Sequence, residues 1–558
     1  ALERFPPTTS PGLAAQASAH LFLGAEAKAK ALAGQAWCRG DLPSSYEDDF
    51  LRRFGSHLGA DDHKCRLETL LITRVRSRSG RASLAERIRP VIARLPEADQ
   101  AIYTARLSML LRQSAAPKLV KEIPADARRS NHGFAFQHAQ YLRVTGKHAD
   151  AWKALMAVPA SAETSLVDRD TWWEERRSHA FEALEAKQPK IAYALVADAR
   201  PETVNPAKDQ AFLAGWLALR HLNQPRLARG HFQRMATLAD GPLSRSKALF
   251  WLGMALEALG DRNGAGRQFE EAAKIRDTFH GLLALERLGK GAASLSLPAP
   301  GLPTRADIDR LQSSDAVKAM VIVAKLDLDR VRYTLRFLGQ IGSRLKTEGQ
   351  FVGLAQLARS LGDGQLEVRA GKMGVARGHN LYIYSYPLTH LPTYVPLRTP
   401  AERALLLAIA RQESEFNTAI VSHAGARGVL QVMPITARHV CRDYKLKCRI
   451  GDLLSDPVYN ARIGSAYIAD RMDDFGGNYI LTLTGYNAGP GRTRQWLREL
   501  GDPRSKKVDA LDWIYRIPFD ETRQYVQKVL SNVQVYRARL GEQKPLRLAK
   551  DMSWVATR

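Results

Sequence analysis

A chain of 558 residues is too long for one hydrophobic core and implies roughly two to four domains. Its 45% hydrophobic and 25% charged residues are ordinary for a soluble protein, and the lack of any apolar run of about 18 residues excludes a transmembrane helix. The formal charge of +25 would attract a polyanion. The basic residues are spread out, however, with Arg176-Arg177 and Lys506-Lys507 only doublets, and no RNP, zinc-finger or helix-turn-helix signature singles out nucleic acid.

The chain opens at Ala1 with neither Met nor a cleavable apolar segment, as expected of a mature protein whose signal peptide has been removed. Its four cysteines fall into two local groups, Cys38 with Cys65 and Cys441 with Cys448. Neither spacing suits a zinc site, so the expectation is two disulfides formed in an oxidising compartment, against the alternative of four reduced thiols. From about residue 13 to 290 the pattern is helix after helix, broken by Gly, Pro, Asn or Asp. Residues 211–239 align with 248–275, placing Trp216 on Trp251 and Phe232 near Phe269. A period near 35 residues with helix–turn–helix content indicates tetratricopeptide-like units that stack into a solenoid. Trp172-Trp173 reads as packing between helices rather than a ligand platform.

Residues 291–304, GAASLSLPAPGLPT, form a linker or strap, and a smaller helical segment follows to about 376 from a cap at Thr304 or Asp307. The aromatic, proline-bearing stretch 382–397 leads into a helix that opens with a Thr399-x-x-Glu402 capping box and Pro400 at its first position. Leu406, Ile409, Glu413 and Phe416 share one face of that helix, so the carboxyl of Glu413 meets an apolar surface that raises its pKa, as a general acid requires. Glu415 points the other way and reads as a solvated surface acid. Residues 422–434, SHAGARGVLQVMP, then turn tightly at Gly425 and Gly428 and bring Gln431 and Met433 beside that helix. Helices follow over 435–445 and 458–473. The 481–497 helix is interrupted at Asn487-Ala488-Gly489-Pro490-Gly491, and the last runs from about 517 to 536, with Asp520 as a cap and Glu521 in the first turn.

Glu413-Ser414 with Phe416, then Ser422, Gly425-Ala426, Gly428, Gln431, Met433-Pro434, Tyr486-Asn487-Ala488-Gly489, and Ile517-Pro518-Phe519 with Glu521-Thr522-Arg523-Tyr525-Val526 stand in the order and spacing of a known family. Over 380–540 the chain resembles the soluble lytic transglycosylases, periplasmic enzymes that cut the glycan strand of peptidoglycan. It departs from them at Val429-Leu430, where the family usually has Leu-Met. The resemblance implies an all-α fold: a ring-like α-solenoid over 1–290, a linker strap and small helical domain over 291–376, a lysozyme-like domain with a little β structure over 377–545, and a tail over 546–558. It implies Glu413 as the single acid and base, with Ser422, Gln431, Met433, Tyr486, Asn487 and Glu521 lining a sugar cleft and Tyr486 best placed to orient Glu413 or the substrate acetamido group. It implies cleavage between N-acetylmuramic acid and N-acetylglucosamine to give 1,6-anhydromuramyl ends, without metal or other cofactor. The expected setting is a periplasmic monomer acting on peptidoglycan in cell-wall remodelling, with penicillin-binding or other cell-wall proteins as further partners, and with no nucleic acid and no integral membrane segment. A goose-type lysozyme-like hydrolase would instead need a second acid, drawn from Asp443, Asp452, Asp456, Asp473 or Asp474. A non-catalytic scaffold would have no need of Glu413.

Overall fold

The computed structural model describes residues 6–290, 295–326, 333–542 and 545–553. Among them no β-strand forms. The only extended pairing there is two isolated bridges, Val421 with Arg427 and Arg427 with Val432. No helix among the described residues is long and apolar enough to cross a membrane. The chain divides into two compact units, 1–238 and 239–558.

In the first unit, helices adjacent in sequence pack as pairs: Ser10–Phe22 on Glu26–Cys38, His132–Val144 on His148–Met156, Arg169–Glu185 on Pro189–Ala197. Small residues let them approach, with Ala14, Ala17, Ala33 and Ala36 fully buried. The Cys38–Cys65 disulfide ties Glu26–Cys38 to Ala60–Leu71. Trp172 and Trp173 are buried, Trp172 against Phe136 at 5.1 Å between ring centres, which is the packing role expected of them. The buried Glu175 takes Arg74, Arg143 and His179, each at 3.2 Å. Burial opposes its charge, but His179 and the two guanidiniums outweigh it and hold the carboxyl at about 2.

The repeat is set by glycines. A Cβ on Gly215 would meet the Phe232 ring at 2.6 Å, and one on Gly253 would meet Phe269 at 2.5 Å. Each glycine therefore seats the phenylalanine of the following helix. This register places Phe250 opposite Phe212, so the Trp216–Trp251 alignment read from the sequence is out by three residues.

The second unit opens with the helices Pro242–Ala258, Arg262–Ala273 and Phe279–Arg287. Residues 295–304 are irregular, and 291–294 of the expected strap lie outside the described residues. A separate apolar core, including Leu311, Met320, Phe351, Leu354 and Leu381, then gathers the helices from Arg305 to Ala376. Thr304 caps the first of them and Asp307 reciprocates, while Thr347 and Gln350 repeat the device. The helices that follow include Arg403–Glu413, Pro434–Asp443, Pro457–Asp474, Tyr479–Asn487, Pro490–Leu500, Ala510–Arg516 and Asp520–Arg539. Two buried polar joints tie this group to the helices at the start of the unit. The Tyr515 hydroxyl accepts from Trp251 Nε1 at 3.1 Å and lies 2.5 Å from His280 Nε2, and the Tyr386 hydroxyl donates to Asp277 at 3.4 Å. The C-terminal stretch contains a docked helix, Leu548–Ser553: Asp551 pairs with Arg537, and the Ala549 N–H donates to Glu286 at 3.0 Å. Residues 554–558 of the expected tail lie outside the described residues.

Several local expectations are corrected. The Thr399–Glu402 capping box does not form, because Glu402 accepts from the Tyr479 hydroxyl at 2.6 Å and pairs with Arg537, so the helix starts at Arg403. Asp520 does not cap its helix either; it pairs with Arg523. Cys441 and Cys448 are free thiols, not a disulfide. The Cys441 sulfur is buried and held 3.4 Å from the Tyr459 hydroxyl, which also accepts from the Arg449 N–H at 3.1 Å, so Tyr459 supplies the link that a disulfide would have made.

Candidate active site

Glu413 is the last residue of its helix, and everything around it depends on how the chain leaves that helix. Ala404 to Ala410 are buried on all sides, so the helix is a core element and its end is rigid. The chain then passes through two left-handed residues, Glu415 at φ 52° and Phe416 at φ 65°. Phe416 is therefore buried through this turn and not through the helical spacing expected from the sequence. Glu415 is not a solvated acid. It is largely buried and pairs with Arg369 at 2.5 Å and Lys372 at 2.6 Å, both from the Gly364–Ala376 helix. Those two ion pairs hold the turn in its uncommon conformation. Burial, followed by the nearby Arg411, pushes the Lys372 amine down to about 8 despite Glu415.

The loop after the turn is built on backbone hydrogen bonds. Ser414 Oγ, buried, donates to the Val429 carbonyl at 2.8 Å. Ser422 Oγ accepts from the Ala426 N–H at 2.9 Å and closes the turn at Gly425. Gly428 sits at φ 72°, where a Cβ would fall 2.3 Å from the Asn460 amide, so the close approach is to the protein itself. Asn460, fully buried, donates to the Arg427 carbonyl at 2.7 Å and accepts from the Leu430 N–H at 3.0 Å. Nothing in the sequence singles out this asparagine. Gln431, at φ 48°, spends its amide N–H groups on the carbonyls of Gly428 (2.9 Å) and Ile420 (3.2 Å). Its amide oxygen has no protein partner among the described residues. Met433 is half-buried where the Pro434–Asp443 helix begins.

The Glu413 carboxyl makes no ion pair among the described residues, and burial pushes its pKa up to about 7. A hydrogen bond from Tyr525 pulls it down in part, and the charge of Glu521 raises it again. The Tyr525 hydroxyl is buried with no partner of full hydrogen-bond geometry, and the group it faces is this carboxyl. The family motifs point instead to Tyr486 for that role. Tyr486 is close enough for the Glu413 charge to raise its own pKa, but its hydroxyl donates to the Leu430 carbonyl at 2.5 Å. Asn487 accepts from the Thr522 hydroxyl at 2.6 Å, joining the Tyr479–Asn487 helix to Asp520–Arg539. On the latter, Glu521, Tyr525, Lys528 and Asn532 succeed one another at spacings of four, three and four, so one helix face runs along the site. That spacing is the legible signal for Tyr525.

A cavity of about 520 Å³ opens beside Glu413, with Arg369, Lys372, Arg411 and Lys528 among its lining. Lys528 has no ion pair among the described residues. Burial raises the pKa of Asp277, which also lines it, despite the nearby Arg411. The five aspartates named as alternative second acids are all in ion pairs: Asp443 with Arg442, Asp452 and Asp456 with Arg449, Asp473 with Arg398, Asp474 with Arg471. None of them lines the cavity.

Residues 397–508 match the transglycosylase SLT domain, and 516–545 match the soluble lytic transglycosylase helical domain. The soluble lytic murein transglycosylase of Escherichia coli K12 is 31% identical over 280 residues, covering 49% of this chain and 41% of that protein. The Salmonella typhimurium protein of the same name is 38% identical over 149 residues, covering 26% of this chain and 22% of its own. The chain thus spans less than half the length of these two curated relatives. Among solved structures, an inactive Glu-to-Gln mutant of the Pseudomonas aeruginosa lytic transglycosylase Slt aligns with a TM-score of 0.69 at 22% identity, covering 96% of this chain and 82% of that one. The 70 kDa soluble lytic transglycosylase Slt70 of Escherichia coli aligns with a TM-score of 0.65 at 20% identity, covering 100% and 85%. Residues 397–508 thus match the transglycosylase SLT domain, and the chain has the fold of these two solved lytic transglycosylases.

Proposed function

We propose that this protein is a lytic transglycosylase that cleaves the β-1,4 bond between N-acetylmuramic acid and N-acetylglucosamine in peptidoglycan, in the periplasm, with Glu413 as its single acid and base. The observation that carries the reading is a carboxyl with a pKa near 7, without an ion pair among the described residues and hydrogen-bonded by Tyr525, at the head of a cavity whose other charged groups are mostly cations. Protonated Glu413 gives its proton to the glycosidic oxygen as the bond to C1 breaks, and N-acetylglucosamine leaves with a free 4-hydroxyl. The substrate's own acetamido oxygen stabilises the positive charge at C1. Glu413, now a carboxylate, takes the proton of the muramyl C6 hydroxyl while O6 bonds to C1, which closes the 1,6-anhydro ring without water.

A hydrolase needs a second carboxylate beside the bond. Asp443, Asp452, Asp456, Asp473 and Asp474 are engaged with arginines away from the cavity, Glu415 is held by Arg369 and Lys372, and Asp277, which does line the cavity, is buried and accepts from the Tyr386 hydroxyl. Lys528, Lys372 and Arg369 suit the lactyl and peptide carboxylates of murein. Mass spectrometry of fragments released from purified peptidoglycan tests the reading. Products one water lighter than hydrolytic ones, and resistant to borohydride, are expected. Reducible ends would make it a hydrolase.

A further inference from the structure

The first unit contains a second cationic pocket, formed where the helices Ala60–Leu71, Glu97–Leu111 and His132–Val144 all end. Five arginines line it: Arg74, Arg76, Arg81, Arg112 and Arg143. Arg74 and Arg143 share Glu175 and have Glu174 and Glu182 as further partners. Arg76, Arg81 and Arg112 have no ion pair among the described residues. Arg81 is 8% exposed, and its Nε is buried without a partner. Partial burial and then the charges of Arg81 and Arg143 lower the pKa of Arg112, a sign of how closely the cations are gathered.

The dipoles at three helix C-termini favour cations nearby, but they do not account for this set. In Glu97–Leu111 the carbonyls of Met109 and Ser108 are taken by backbone donors, the N–H groups of Arg112 and Gln113, and that of Leu71 by the Gln137 amide. Among the described residues, no guanidinium of Arg76, Arg81 or Arg112 hydrogen-bonds a helix-terminal carbonyl; Arg81 donates only to the loop carbonyl of Arg76, at 2.6 Å. Guanidiniums crowded without an anion repel one another, and a carboxylate or phosphate group satisfies their fork geometry. The cavity is about 60 Å³, room for about two waters at ~30 Å³ each, so it admits a small anionic group and excludes a sugar ring. Val75, Met109, Leu110 and Val144 give one part of its wall an apolar surface, beside the polar Gln137, Gln140 and Tyr141.

We infer that this pocket binds the C-terminal carboxylate of a peptide whose last side chain is small and aliphatic. The apolar wall beside the arginines favours a carboxylate with a short hydrocarbon body over a naked phosphate. The assignment to peptide stems of peptidoglycan rests on the catalytic reading proposed for Glu413, and it adds a recognition site in the first unit that is separate from that residue.

The test is calorimetric titration of the full chain with Nα-acetyl-D-alanyl-D-alanine, its C-terminal amide and inorganic phosphate, each at fixed ionic strength. The acid is expected to bind, with the amide and phosphate weaker by roughly tenfold or more. Arg112→Asn, which tolerates the left-handed backbone at that position (φ 57°), and the exposed Arg76→Gln should each weaken binding of the acid by roughly tenfold with unchanged melting temperature. Equal binding of acid and amide, or tighter binding of phosphate, would overturn the assignment. So would binding that survives both arginine variants but disappears in Lys528→Met, which would put the peptide beside Glu413. None of these measurements requires turnover. A chain that cleaves murein but fails them loses this proposal alone, and a chain that passes them without cleaving loses only the catalytic one.

Discussion

The carboxyl of Glu413 titrates near pH 7, so its protonation state bears on stability across the neutral range and, in the mechanism proposed above, on rate. Its folded pKa lies above the ordinary 4.5. The stability it contributes is therefore complete below about pH 4.5 and is lost as pH rises through 7. Glu413→Gln should accordingly melt higher than the parent at pH 8 and alike at pH 4.5, while turnover falls by roughly 100- to 10,000-fold. Equal melting at both pH values would mean that the carboxyl is better solvated than its surroundings indicate. In the parent, kcat/KM should decline above pH 7 as the acid loses its proton. Tyr525→Phe removes a hydrogen bond to the charged form and should move that limb upward; Glu521→Gln removes a like charge and should move it downward. Shifts of the same sign in both variants would contradict the assignment of Tyr525. The raised pKa is legible in the sequence, because Leu406 and Ile409 fix the buried face on which Glu413 stands. The orienting hydroxyl is not, because Tyr486 and Tyr525 sit in equally suggestive motifs, and only the fold shows that the Leu430 carbonyl already claims the former.

Among the elements, the turn at Glu415–Phe416 matters most, since it aims the end of the Glu413 helix and starts the loop that carries Ser422 and Gln431. Its anchor lies outside the sequence motif, on the Gly364–Ala376 helix. Lys372→Met leaves Glu415 with the Arg369 ion pair and a long hydrogen bond from Gln365 and should loosen residues 414–420, seen as faster amide exchange there. A drop in kcat of roughly 10- to 100-fold is expected from the misplaced acid. Unchanged kcat with accelerated exchange would show the turn to be slack in the parent as well. Helical periodicity makes Glu415 look solvated, but the helix stops at Glu413, and periodicity carries no information past its end. The same limit explains the misplaced register of the repeat. Tryptophans catch the eye, whereas the packing is decided by Gly215 and Gly253, whose contribution is the absence of a side chain.

At the scale of the molecule, the compact division at 238/239 falls inside the helical array, well before the Pro- and Gly-rich strap that marks a boundary in the sequence. Composition reveals where a chain is irregular, not where its buried polar groups find partners. A chain starting at Ala239 keeps Trp251 and His280 for the Tyr515 hydroxyl and Asp277 for Tyr386. It should fold and retain turnover on soluble glycan strands. A chain starting at Gly291 strips those partners from fully buried hydroxyls, at a cost of about 1–3 kcal/mol for each group left unsatisfied, and should melt lower or aggregate. Equal melting temperatures for the two chains would show that the Tyr515 joint contributes nothing to the stability of the catalytic helices.

That joint also bears on how such a protein can be recombined. The SLT-domain match over 397–508 carries Glu413 but leaves Tyr525 and Lys528 on the Asp520–Arg539 helix, inside the separate match over 516–545, and Tyr515 answers to helices that come before the strap. A chimera cut at the edges of the SLT-domain match alone would inherit an acid without its tuning groups. Shuffling among relatives would yield working enzymes only where the crossover falls ahead of Ala239, so the heritable module is more than twice the length of the recognisable one.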